Sequence, residues 1–197
     1  MFLPYSLAIV SGYEAAIQTV SSGALDKAAD AGQHIMDHLS LWQLHAANAV
    51  LYLCATPIQF LPSVRKRSLP LHRASGYLFL STGTVLAFSG LIMAPLSEFP
   101  GFVPPSVALA VIWVLFGGVA MWKIKKKRVQ EHREWMVRVA AAGYSVILTR
   151  PLVIAVHLVS GLSHRAAGQS ATWLSLLIMV AGTEMYIQSR HRLDSNV

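Results

Sequence analysis

The sequence predicts an all-α protein, a polytopic transmembrane helical bundle of about five spans with its N-terminus outside and its C-terminus cytoplasmic. Three observations predict it. Of the 197 residues, 54% are hydrophobic and only 13% are charged, much less charge than a soluble domain carries. The apolar residues, with a mean hydropathy of +0.51 over the chain, gather into stretches of the roughly 20 residues that a helix needs to cross about 30 Å of hydrocarbon. The Lys and Arg residues fall on alternate connections, and cations near helix ends stay on the cytoplasmic side.

The elements follow in order. Residues 1 to 20 are fairly apolar, but Pro4, Glu14 and Gln18 interrupt them. Neither a basic start nor a clear cleavage site accompanies them, so an interfacial helix or a degenerate extra span fits better than a signal peptide. Span one runs from about Leu39 to Leu61, span two from Ala74 to Leu96, and span three from Ser106 to Trp122 with Lys123 at its edge. Span four runs from Val139 to Leu162 and span five from Ala171 to Gln188. Short connections force an antiparallel up-down arrangement. The expected organisation is an extracytoplasmic segment over 1–38, a bundle over 39–190 and a cytoplasmic tail over 191–197.

Orientation rests on one-sided cations. The first connection holds Arg65, Lys66, Arg67 and Arg73; the third holds Lys123, Lys125, Lys126, Lys127, Arg128, Arg133 and Arg138; the tail holds Arg190 and Arg192. The opposite connections, from Ser97 to Pro105 and from Ser163 to Ser170, hold Arg165 alone, and the segment before span one sets Asp26, Asp30 and Asp37 against Lys27. The cell membrane, as a bacterial inner membrane, is the expected location.

The net charge of +7 sits in juxtamembrane belts rather than on a basic face interleaved with aromatics. It therefore points to the bilayer and its anionic lipid headgroups as partners and away from nucleic acid. A single Cys54 excludes an intramolecular disulfide and a multi-thiolate zinc site. No phosphate loop, dinucleotide fingerprint, nucleophile elbow or carboxylate pair is legible, so the sequence proposes no hydrolase.

Chemistry must then come from polar groups in or beside the spans, because such groups are costly in lipid and face the bundle interior. On span one, His45, Asn48, Tyr52, Thr56 and Gln59 recur at helical spacing as one polar stripe. On span two, His72 shares a face with Gly76, Gly83 and Gly90; the glycine ridge serves close helix approach or a flat cofactor. On span four, His132, Met136, Gly143, Arg150 and His157 share a face by the same arithmetic. Arg150, midway along the span and followed by Pro151, needs a partner, an anionic ligand or a water-filled cavity. The proline is expected to open the helix near residue 147. Glu184 lies at a depth that suits Arg138 better than Arg150.

His45 and His157 lie inside the outer boundary, and His72 and His132 lie at the inner one. Facing imidazoles across a bundle are the axial ligands of a b-type haem, with Met136 as another candidate ligand. His132 and His157 are 25 residues apart, roughly 37 Å along a helix, so one haem or none fits better than two. The bland alternative is interfacial histidines without a ligand.

The residues from Leu44-His45 through Thr56-Pro57-Ile58-Gln59-Phe60, then Val64-Arg65, Leu71-His72-Arg73 and Gly76, and the run His132-Arg133-Glu134-Trp135-Met136-Val137-Arg138 with Arg150, carry a resemblance over about residues 40 to 155. The chain resembles the bacterial predicted-membrane-protein family called domain of unknown function 2306. The resemblance implies that His45, Gln59, Arg65, His72, Arg73, Gly76, His132, Trp135, Arg138 and Arg150 are the characteristic positions. Two departures stand out: Gly76-Tyr77 where the family often reads Gly-Arg, and Thr56-Pro57 where it often reads Gly-Pro. The helical layout is also similar to that of the cytochrome b561 and ferric-reductase group, a likeness of fold alone.

Three functions are consistent with these residues. The first is a haem-binding or redox-associated membrane protein with His45, His72, His132 and His157 as candidate ligands of haem b. The second is a binding or transport protein for an anionic lipid or small acid, centred on Arg150 and the cytoplasmic His72, Arg73, His132 and Arg138 cluster, with Gln59 beside it. The third is an accessory subunit whose polar stripes are buried in a homo-oligomer or against a membrane partner subunit.

Overall fold

A computed structural model describes residues 37–96 and 100–195. The expected interfacial helix or extra span over residues 1 to 20 lies outside the described residues. Asp37 to Trp42, the start of the first helix, belong with the N-terminal unit, and the site described below lies wholly in the unit from Gln43 onward.

The described residues are helical almost throughout. Helix α1 is Leu39–Phe60, α2 is the short Pro62–Arg67, α3 is Leu69–Met93, α4 is Val103–Lys125, α5 is Val129–Ser160 and α6 is His164–Ser195. A 3₁₀ turn, Pro100–Phe102, precedes α4. Four of these helices are long and apolar enough to cross a membrane: Leu69–Met93, Val103–Lys125, Val129–Ser160 and Ala166–Leu193. With 22 residues, or about 33 Å, α1 has the length to span, but its polar stripe dilutes its hydropathy. The expected count of about five is therefore four clear spans plus this polar helix.

The ends of the helices have local causes. Ser68 caps α3, its side chain accepting from the Leu71 amide at 3.4 Å, and Pro70 sits in the first turn, where a missing N–H costs nothing. Gly161, at φ 66°, ends α5 in the left-handed region, the conformation that glycine adopts freely. Helices α5 and α6 each run 32 residues, well past the expected spans, because composition marks only the stretch in hydrocarbon while the backbone stays helical beyond it. Pro151 does not break α5, which is one continuous helix from Val129 to Ser160. The neighbouring turns compensate in part: Thr149 donates to the Ser145 carbonyl at 3.0 Å and meets Ser175 of α6 at 2.7 Å.

The core is a cluster of Tyr52, Phe79, Trp113, Met136 and Val139 with small alanines between them. Tyr52 stacks on Phe79 with centroids 4.8 Å apart, and Trp113 meets both rings at 5.6 Å. Two glycines make this possible. Ring atoms of Trp113 occupy the place of a side chain at Gly83, and the Tyr52 hydroxyl does the same at Gly143. The lower half of the glycine ridge is thus filled by an indole from α4, and Gly90 faces the edge of His45, whose Cε1 lies 3.9 Å from a Cβ position there. Close helix approach is the use the fold makes of Gly83.

Candidate functional site

At the end of the bundle that carries the cations, the C-termini of α1, α4 and α6 meet the N-termini of α3 and α5 around a cavity of about 770 Å³. This is within the roughly 300–1,000 Å³ range of ligand pockets. The floor is apolar, with Phe60, Leu80, Met121, Met136, Val137 and Ile187 among its residues. Its rim is cationic. Arg65 comes from α2, Arg73 from the first turns of α3, Arg133 from α5 and Arg190 from the last turns of α6. The α1–α3 corner is tight: Ser75 donates to Gln59 Oε1 at 3.0 Å, and the Gln59 amide lies 3.1 to 3.2 Å from the place of a Cβ on Gly76.

The charge balance at this end is uneven. Four arginines line the cavity against one carboxylate, Glu134. Glu134 is already engaged, accepting from Gln130 Nε2 at 3.0 Å and meeting His191 Nε2 at 2.8 Å. Glu131, on the same turn of α5, is held by Lys123 at 2.6 Å and by Arg128. Among the described residues, the side chains of Arg65, Arg73 and Arg190 form no hydrogen bond or ion pair. Such a rim, backed by apolar walls, focuses a positive field into the cavity.

His72 and His132 both line this cavity and lie within electrostatic reach of one another, with Arg65 also close to His72. His132 Nδ1 is 2.8 Å from the Ala120 carbonyl of α4, so it donates there, and Nε2 carries the lone pair. The Gln59 backbone faces the His72 ring, yet His72 Nδ1 is buried with no hydrogen-bond partner. Among the described residues no group of three or more His, Cys, Asp or Glu is placed to hold a metal ion.

Of the residues singled out in the sequence, the cavity gathers Gln59, Arg65, His72, Arg73, Gly76, His132 and Met136. Four others lie elsewhere. Arg138 is taken by Glu184 of α6, with Nε–Oε1 and Nη2–Oε2 distances of 2.5 and 2.8 Å, and it lies over the Trp135 ring at 4.7 Å. Arg150 is exposed on α5 and forms no hydrogen bond or ion pair among the described residues. His45 meets Ser89 of α3 at 2.8 Å through Nδ1. His157, near the opposite end of α5, places Nδ1 2.7 Å from the Leu162 carbonyl. The structure thus brings His72 and His132 to one cavity and leaves His45 and His157 outside it, each with a separate partner.

Sequence reasoning missed Glu134, Tyr186 and His191 as cavity residues and treated Arg190 as a tail cation. The signal for α6 was weak, since its apolar stretch ends before the turns that carry Arg190 and His191.

The model of a family described as predicted membrane proteins, domain of unknown function 2306, matches residues 42–187. The chain belongs to this family. No curated protein and no solved structure matches the chain. The matched region of this member of domain of unknown function 2306 contains every cavity residue named above except Arg190 and His191, which follow it.

Proposed function

We propose that the protein is a membrane-embedded binding protein for an anion, a phosphate or carboxylate headgroup, held in the cavity at the cationic end of the bundle. The observation that carries this reading is the four-to-one excess of arginine over carboxylate around about 770 Å³, with Arg65, Arg73 and Arg190 unpaired among the described residues. Guanidinium groups bind planar oxyanions in bidentate fashion, and His132 Nε2 is directed by the Ala120 bond rather than left to rotate. In a bacterial inner membrane this end would face the cytoplasm, where Lys and Arg accumulate. The sequence placed Arg150 at the centre of such a site; the reading now rests on the rim arginines.

The test is thermal unfolding of delipidated protein in a neutral detergent with inorganic phosphate, acetate or dihexanoyl phosphatidate, beside an Arg65→Gln/Arg73→Gln variant. A ligand at 100 times its Kd raises stability by about 2.7 kcal/mol, so the wild type gains several degrees and the variant does not. Equal shifts in both proteins, or none in either, would sink the reading.

A second reading has its own observation. His72 and His132 line one cavity, and His132 keeps Nε2 free of the Ala120 bond that engages its Nδ1, a pair of imidazoles that suits haem b. The reduced-minus-oxidised spectrum of protein expressed with haem supply decides it. An α band lost in His72→Ala and His132→Ala supports it, and a flat spectrum removes it.

A further inference from the structure

The apolar floor of the cavity does not stop at the cavity. A second, shallower groove of about 270 Å³ lies along α5 and α6 and is lined by Ala140, Ala141, Tyr144, Met179 and Thr183. Phe60 and Val137 line both spaces, so the groove adjoins the cationic cavity. Its walls are almost wholly apolar. From Val137 to Tyr144 it runs two turns, about 10 Å along α5, away from the charged helix ends and toward the middle of the membrane-spanning stretch.

That direction has a consequence. A lipid in the leaflet at the cationic end keeps its headgroup at the interface and its chain pointing inward, the same order of polar cavity and apolar groove that α5 presents. Phe60 at the end of α1 flanks the groove on one side and α6 on the other. The groove is open along its outer side, on the surface that a membrane-spanning bundle turns to lipid.

We infer that the ligand is a membrane amphiphile whose anionic headgroup sits among Arg65, Arg73 and Arg190 and whose single acyl or isoprenoid chain lies in the groove on α5 and α6. This rests on the anion-binding reading above and names the class of its ligand. The groove supplies little driving force, because a chain leaving the bilayer exchanges one apolar environment for another and gains only packing. Its role is selection and route: it admits a ligand sideways from the bilayer and favours one chain over a bare anion from solution.

The test uses a single-chain phosphate carrying a photoreactive diazirine along its chain, added to the full-length protein in neutral detergent, with labelled peptides mapped after illumination. The expected result is labelling at Tyr144 and Met179 that falls at least fivefold with excess unlabelled single-chain phosphate, less with inorganic phosphate at the same concentration, and not with a zwitterionic lipid. Ala140→Phe, which fills the groove without touching the rim, should lose that labelling while keeping the thermal shift given by dihexanoyl phosphatidate. Thr183→Leu provides a second, smaller plug should Ala140→Phe fail to fold. Labelling that no anionic amphiphile competes away, with the thermal shift intact, would overturn the chain groove and leave the headgroup site standing. Loss of both signals in the wild type would overturn the two together. Competition by inorganic phosphate equal to that by the amphiphile would assign the cavity to a soluble anion.

Discussion

The two halves of α5 each carry a membrane-depth arginine and treat it in opposite ways. In the N-terminal half, Glu131, His132, Glu134 and Arg138 each find a partner on α4, on α6 or within a turn, and His132 and Glu134 line the cavity. In the C-terminal half, Arg150 is exposed without a partner among the described residues, and Leu158 and Val159 are 76% and 89% exposed. Arg138 and Arg150 are the same side chain on the same helix. What differs is whether a neighbouring helix brings an acceptor to the same depth: Glu184 does so for Arg138, and among the described residues none does so for Arg150. A charge in a membrane helix is defined by its neighbours more than by its position along the chain.

The largest expected effect falls on the paired half. Arg138→Ala leaves Glu184 without its cation. A fully buried pair broken in this way costs about 3–5 kcal/mol; because the Glu184 side chain is 40% exposed, the expectation here is about 2 kcal/mol, read by denaturant titration in micelles. The exchanged pair Arg138→Glu/Glu184→Arg should recover part of it, and a loss no larger than that of a surface substitution would erase the contrast between the halves. Next comes the junction between them, where Gly143→Ala pushes a methyl group into the Tyr52 hydroxyl and should cost about 1–2 kcal/mol. That hydroxyl is buried without a partner, so Tyr52→Phe should be neutral or mildly stabilising and should relieve Gly143→Ala. The smallest effect belongs to the unpaired half: Arg150→Leu should change stability by less than about 0.5 kcal/mol and leave the phosphatidate shift intact. A large change in either would show that Arg150 has a partner beyond the described residues, and native mass spectrometry of wild type and variant would distinguish a second copy or a lipid from a partner within the chain.

Much of the architecture was legible because hydrocarbon thickness imposes a length on apolar stretches, and spans two to five each coincide with a clear helix. Their ends were less legible. The polar first turns of α5, from Val129 to Arg138, look like a loop by composition, yet Lys123, Ala120 and Glu184 give their side chains partners that keep the helix going. The site was legible in its local part. His72, Arg73 and Gly76 lie within two turns of each other, and Gln59 and Arg65 follow from the same corner, so helical spacing sufficed. The α6 contribution was not, because Glu134 and His191 stand 57 residues apart and only tertiary packing unites them. Helical phase also misled for Arg150. It shares an angular position with His132, but at that level none of the described residues covers the face.

The seating of Trp113 over Gly83 bears on how the bundle can move. Turning α3 by one residue's angle, about 100°, would bring Thr82 or Thr84 under the indole, where no side chain fits. The Tyr52 hydroxyl against Gly143 sets a similar stop between α1 and α5. Both pairs key the helices in rotation, so the residues around the cavity keep their angular places, and at its mouth the last turns of α6 are fastened to α5 by the Glu134–His191 contact.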